Sequence, residues 1–328
     1  VEYSLRVLFF GTPEFAVPSL ERLIQSSHAV VGVVTSRDKP RGRGLKLLPV
    51  PVKAAALKFG LPVLEPPNMK AESFLEQVKA LSPDVLVVVA FRILPRVLFA
   101  IPRYGAINVH PSLLPKYRGP APIHWTLIQG EKVTGVTTFQ IGEQVDAGNL
   151  LLQREMSISE DDDFGSLHDR LAVLGAELLL ETLDGLENGS LTGKPQDNSG
   201  ATPAPKVQPE DAAIDWRQSA VEIRNRVRAF SPFPGAWTFL ERRTFKIYRC
   251  DEAPVSEDAV KNVQCPTQCP TPGLVDEISK DGFPMVGTGD RWLILRVVQM
   301  EGKKRMPADA FVRGFPLLGK SLETPVEG

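Results

Sequence analysis

Three nearly unbroken apolar runs constrain this chain more than any other feature. Leu5 to Phe10, Ala29 to Thr35 and Val85 to Ala90 do not alternate apolar with polar residues, so a strand made from any of them must be covered on both faces. Gly11-Thr12-Pro13 closes the first run, and a helical stretch around Ser19 to Gln25 leads to the second, which makes a βαβ unit. Another helical segment near Ser73 to Leu81 precedes the third. Such strands, alternating with helices, predict an α/β fold: a Rossmann-like, doubly wound, mostly parallel sheet. Ala106 to His110 and Gly135 to Ile141 are further strand candidates, separated by a loop and a helix near Ala121 to Gln129. Phe164 to Glu187 reads as a long amphipathic helix that closes the first domain.

With 328 residues the chain exceeds the roughly 250 at which single cores stop growing, so two domains are expected. Residues 190–208 collect Asn, Gly, Ser, Thr and Pro, as a linker does, between a first domain over 1–189 and a second over 209–328. Beyond the linker come a helix, Ala220 to Phe230, and short β-like runs at Thr244 to Cys250, Gly273 to Ile278 and Trp292 to Val298. They predict a small β-rich domain.

Net charge is −1, which argues against a non-specific nucleic-acid binder and confines any such contact to a local patch. The three cysteines, Cys250, Cys265 and Cys269, are too few and odd in number for a disulfide framework, which favours a reducing compartment. Cys265 and Cys269 lack C-x2-C spacing and a nearby histidine, so structural zinc is not expected. No apolar run reaches the roughly 18 residues of a membrane span, and no secretion signal opens the chain. The expected location is the bacterial cytosol, without a membrane partner, and the expected state is a monomer. Gly11-Thr12-Pro13 carries neither G-x-G-x-x-G nor a GK[ST] ending, so dinucleotide or ATP binding is unsupported.

The segment AINVHPSLLPKYRGPAPI holds the strongest chemical signal. Asn108 and His110 are two apart on an extended segment and share one face, while Val109 faces the other way. Pro111 biases His110 towards extended geometry and ends the strand at the carboxyl edge, where open α/β sheets bind ligands. These two residues alone also fit a polar strand end with a satisfied histidine. Asp146, in the loop QIGEQVDAG, equally fits a turn former.

FFGTPEFAVPSL, NVHPSLLPKYRG, VDAG, AIDW and RAFSPFPGAW together resemble the folate-dependent formyltransferases over nearly the whole chain. The resemblance implies a catalytic centre of Asn108, His110 and Asp146, with Ser112, Leu113, Leu114, Pro115 and Phe91 contacting folate. It implies direct transfer from 10-formyltetrahydrofolate, a co-substrate, to the α-amine of methionyl initiator tRNA, with no metal. Asn108 would donate to the oxyanion, and His110 would be a second donor and proton shuttle, kept cationic by Asp146. In the basic insertion Ser36 to Pro51, a flexible loop by composition, Arg43 matches the family's arginine, and Lys206 of the linker matches a basic position; with Arg41 and Lys46 beside Arg43, these are the expected tRNA contacts. The second domain matches an OB-like, tRNA-facing barrel. VVVAFRILPRVL is about one residue shorter than usual in the folate loop, which bears on Phe91 and Arg92. Rival readings are a 10-formyltetrahydrofolate hydrolase, a sugar-nucleotide formyltransferase, and a catalytically silent RNA-binding protein.

Overall fold

The computed structural model describes residues 4–41, 46–253 and 270–325. They form two compact units: residues 1–122, 133–158 and 167–205 in the first, and 123–132, 159–166 and 206–328 in the second.

Among the described residues the first unit has nine strands, β1 (Arg6–Gly11), β2 (Ala29–Val34), β3 (Lys39–Arg41), β4 (Lys46–Leu48), β5 (Val63–Leu64), β6 (Val85–Val89), β7 (Ala106–His110), β8 (Val133–Gln140) and β9 (Leu150–Ser157). Seven of them make one sheet in the order β5-β2-β1-β6-β7-β8-β9. The first five run parallel, while β8 and β9 are antiparallel to their neighbours. Burial explains the continuous apolar runs: every residue of β6 is buried, as are Val7 to Phe10 of β1. Helices α1 (Val17–Ile24), α2 (Pro51–Lys58), α3 (Glu72–Leu81) and α4 (Arg96–Phe99) complete the crossovers. The long helix α6 (Phe164–Glu187) presents Leu171, Ala172, Leu178 and Leu179 as a buried stripe. At Gly175 it packs so closely that an added Cβ would stand 2.8 Å from Val109 of β7. Val109 is thereby committed to the α6 face, which leaves Asn108 and His110 for the opposite one.

The insertion expected as a flexible loop contains a short hairpin of β3 and β4, with Arg41 opposite Lys46, and then enters α2 at Pro51. Arg43 lies outside the described residues.

The second unit takes helix α5 (Pro122–Ile128) from Ile123 onward and the segment 159–166, and continues with α7 (Ala220–Ala229). Its strands are β10 (Ala236–Leu240), β11 (Arg243–Glu252), β12 (Val275–Ile278), β13 (Pro284–Gly287), β14 (Trp292–Met300), β15 (Met306–Pro307) and β16 (Leu322–Glu323), with helix α8 (Ala308–Gly314) before the last. They form an antiparallel sheet ordered β12-β13-β14-β11-β10-β16, with β15 beside β14. The sheet curls until its ends meet, through a bridge between Leu274 and Ser321. Trp216, Ile223, Phe245, Ile247, Leu295 and Phe311 fill the interior. Ser219 starts α7 with a reciprocal cap, in which Glu222 accepts from the Ser219 backbone and offers its own N–H to the Ser219 hydroxyl.

Candidate active site

Strand β7 ends where the parallel part of the first sheet meets its antiparallel edge, with Asn108 between Val88 and Phe139 of the adjoining strands. Asn108 is half-buried, and its carboxamide has no hydrogen-bond partner among the described residues. His110, two residues on, is buried. Its Nε2 stands 2.9 Å from the Tyr117 carbonyl, which can only accept, so Nε2 carries the proton and Nδ1 is left with a lone pair. Asp146 Oδ2 is 3.8 Å from that Nδ1. The two atoms are charge neighbours rather than hydrogen-bonded partners.

Burial pushes the His110 imidazole below its ordinary range, while the Asp146 carboxylate and the bond to the Tyr117 carbonyl pull in the opposite direction. Burial prevails. That direction favours the neutral imidazole, where the sequence reading expects a carboxylate-stabilised cation.

Asp146 reaches this position from a loop with a special backbone. Its φ is 51°, in the left-handed region that Asp tolerates better than bulkier residues. Gly148, two residues later, lies so close to β8 that any Cβ would come within 1.7 Å of the Gln140 carbonyl. The Asp146 carboxylate accepts the Gly119 N–H at 2.9 Å. Gly119 has a φ of 129°, and a Cβ there would strike the Ala204 carbonyl at 2.4 Å. Both glycines are thus fixed by close backbone approach.

The segment after His110 folds its polar atoms inward. The Ser112 hydroxyl donates to the Lys116 carbonyl at 2.7 Å, and the Ser112 carbonyl accepts from the Thr137 hydroxyl at 2.6 Å. The Gln153 amide donates to the Leu114 carbonyl at 2.7 Å. Ser112 and Leu114 are buried, while Leu113 and Pro115 are half-buried. Side-chain contact with a ligand is therefore open to Leu113 and Pro115, and Ser112 serves its own turn. Phe91 follows β6 at the same carboxyl edge, with its ring 5.6 Å from Phe10 edge-on and the Arg92 guanidinium above it. Ala90 before it has a φ of 47°, a backbone suited to glycine.

The other histidines are engaged elsewhere. His28 stands 3.3 Å from Asp184, His124 stacks on Phe164 at 4.1 Å, and His168 bonds Asp169 at 2.8 Å. Lys206 is exposed at the start of the second unit, and the side chains of Arg41 and Lys46 lie outside the described residues. So do Cys265 and Cys269. Tyr117, Gly119, Thr137, Gln153 and Gln196 support the site without having been singled out in the sequence. Tyr117 and Gly119 lie within the NVHPSLLPKYRG segment, and the other three carried no local signal.

The formyl transferase profile matches residues 5–183, and the profile of the formyl transferase C-terminal domain matches 206–316. The methionyl-tRNA formyltransferase of Geobacter metallireducens is 46% identical over 315 residues, 96% of this chain and 97% of that protein. Among solved structures, HypX from Aquifex aeolicus in complex with tetrahydrofolic acid has a TM-score of 0.62 at 18% identity, covering 94% of this chain and 47% of HypX. This chain spans about half the length of HypX. An N-formyltransferase from Helicobacter canadensis, in complex with folinic acid and dTDP-3-aminofucose, has a TM-score of 0.63 at 18% identity, covering 90% of this chain and 99% of that one. At these identities the two structures establish the fold.

Proposed function

This chain belongs to the formyl transferase family, and we propose that it moves the formyl group of 10-formyltetrahydrofolate onto the α-amine of methionyl initiator tRNA. The choice of acceptor rests on the full-length relatives. Eight relatives at 41–46% identity over nearly the whole chain are methionyl-tRNA formyltransferases, whereas the sugar-directed neighbours share only the fold. HypX, solved in complex with tetrahydrofolic acid, supports a folate donor.

One observation carries the mechanism. Next to a carboxylate stands a buried imidazole with Nε2 committed to the Tyr117 carbonyl and Nδ1 open. The amine nitrogen attacks the formyl carbon, and a tetrahedral intermediate forms with negative charge on the formyl oxygen. The Asn108 amide donates to that oxygen. His110 Nδ1 accepts the proton that the amine loses and returns one to N10 of the folate as the C–N10 bond breaks. Between those events His110 is an imidazolium beside Asp146, whose charge stabilises it without taking the proton. The amine keeps the formyl group, and tetrahydrofolate departs protonated at nitrogen. No covalent enzyme intermediate is needed.

Leu113, Pro115 and Phe91 are proposed folate contacts, with Ser112 and Leu114 shaping the loop between them. Arg41, Arg43 and Lys46 of the basic insertion are proposed phosphate contacts for the acceptor end, and Lys206 is proposed separately as a tRNA contact.

The test is to follow the formyl group. Labelled 10-formyltetrahydrofolate is mixed with methionyl initiator tRNA, with a charged elongator tRNA, with an amino-sugar nucleotide, or with no acceptor. Label is expected on methionine of the initiator tRNA. Free formate without acceptor, or label on the sugar, would replace this reading with a hydrolase or a sugar formyltransferase.

A further inference from the structure

We propose that Gln196, in the segment read from sequence as a linker, is a positioning residue that sets where the Asp146 carboxylate stands relative to His110. The inference rests on the reading of Asn108, His110 and Asp146 as the reacting centre. It assigns a role to a side chain that would touch neither substrate.

The loop 141–149 holds Asp146 in a left-handed conformation, and the Asp146 and Gly148 carbonyls lie outside the strand pairing. Gln196 takes them up. Its Nε2 donates to the Asp146 carbonyl at 2.9 Å and to the Gly148 carbonyl at 2.8 Å, using both hydrogens of one amide. Its Oε1 accepts from Arg118, at 2.6 Å from Nη2 and 3.2 Å from Nε. The other amide orientation would set an oxygen against two carbonyls and an NH2 against a guanidinium, so the network admits one orientation only.

Arg118 closes the circuit. It precedes Gly119, whose N–H holds Asp146 Oδ2 at 2.9 Å. Asp146 is thus gripped at its carboxylate by the loop that follows His110 and at its backbone by Gln196, and Arg118 ties the two grips together.

The segment around Gln196 is itself registered against both loops. Lys194 exchanges two backbone bonds with Leu150, at 2.7 and 2.8 Å. Further on, the Thr202 carbonyl accepts the Arg118 N–H at 2.9 Å, and Ala204 donates to the Arg118 carbonyl at 2.6 Å. The Thr202 hydroxyl accepts the Tyr117 N–H at 2.9 Å. Tyr117 supplies the carbonyl that fixes His110 Nε2. One stretch of chain therefore references both members of the His–Asp pair. All of these residues belong to the first unit.

The test is steady-state formyl transfer by the full-length chain, with kcat and both KM values measured for Gln196→Ala, Gln196→Glu, Asp146→Asn and the double variant Gln196→Ala/Asp146→Asn. Gln196→Ala is expected to lower kcat by about 10- to 100-fold, the scale of a small misplacement of a reacting group, with both KM values nearly unchanged. Gln196→Glu retains an acceptor for Arg118 but loses the donors to the loop carbonyls, and is expected not to restore kcat. A role limited to anchoring Arg118 would be rescued by Glu, and that outcome overturns the proposal.

If Gln196 acts through Asp146, the double variant is no slower than Asp146→Asn alone. Losses that multiply in the double variant, or wild-type kcat in Gln196→Ala beside a disabled Asp146→Asn, would overturn this inference alone. Full turnover in Asp146→Asn would overturn the reading of the centre as well, so the two failures are told apart.

Discussion

Two buried polar clusters, one in each unit, treat their hydrogen bonds in opposite ways. In the second unit the Trp216 indole donates to the Thr238 hydroxyl at 3.1 Å, and that hydroxyl donates to the Glu323 carbonyl at 2.7 Å. Trp216 and Thr238 are both buried, and both donors of the chain, the indole N–H and the hydroxyl, are satisfied. In the first unit Asn108 keeps an amide without a partner among the described residues, and His110 keeps Nδ1 open while Nε2 is fixed. A satisfied chain contributes to the fold, because neither donor can be lost without stranding another buried group. An open donor beside an open base contributes little to the fold and is set for groups that arrive later. The difference separates a stabilising cluster from a reacting one, even though both are built from ordinary polar side chains in a sheet.

The sharpest way to break that distinction is at Asn108. Asn108→Ala is expected to lower turnover by about 10²- to 10³-fold, the scale of removing one oxyanion donor, while leaving the melting temperature nearly unchanged. Turnover from single-exponential formylation and melting by calorimetry test the two halves separately. A large loss of stability with modest loss of turnover would place Asn108 with the structural cluster instead.

The complementary substitution is in the other unit. Thr238→Val keeps the side-chain shape but strands the Trp216 N–H, and should destabilise the fold by about 1–3 kcal/mol. Chemical denaturation measures that change. Turnover at a temperature where the variant remains folded should match wild type, and a specific fall in kcat would erase the contrast between the two clusters.

How much of this was legible beforehand follows from the range of the interactions. Strand β7 and helix α6 were read with the bounds they have, Ala106 to His110 and Phe164 to Glu187, because periodicity is a local property. The alternating face of β7 placed Asn108 and His110 together for the same reason. Strand β9 escaped, since LLLQREMS opens on three leucines and alternates only towards its exposed end. Asp146 needed the family resemblance, because its left-handed backbone and its contact with Gly119 are set by residues 27 positions away. Gln196 left no trace at all. A glutamine among Pro, Asp, Asn and Ser has the composition of a linker, and its bonds to the Asp146 loop span 50 positions. The downward shift of the His110 pKa was not legible because a sequence displays the neighbouring carboxylate but hides the depth of burial that opposes it.

The burial of His110 gives the smallest and most diagnostic effect. Burial places the His110 pKa below the ordinary histidine value of about 6.5, so the folded protein should keep this imidazole neutral as pH falls through that value. Nitrogen NMR should find Nε2 protonated and Nδ1 bare across that range, the tautomer dictated by the Tyr117 carbonyl. Since Asp146 raises the pKa, Asp146→Asn should lower it further. The sign for stability follows from linkage. Below the ordinary value the unfolded chain takes up the proton first, so the folded state loses this contribution as pH falls towards the depressed folded-state value, and regains it above. A His110 that titrates at or above the ordinary value would mean a cation at rest. In that case Nδ1 could not accept the proton of the attacking amine, and the open valence that distinguishes this cluster from the one around Trp216 would be filled before any substrate arrived.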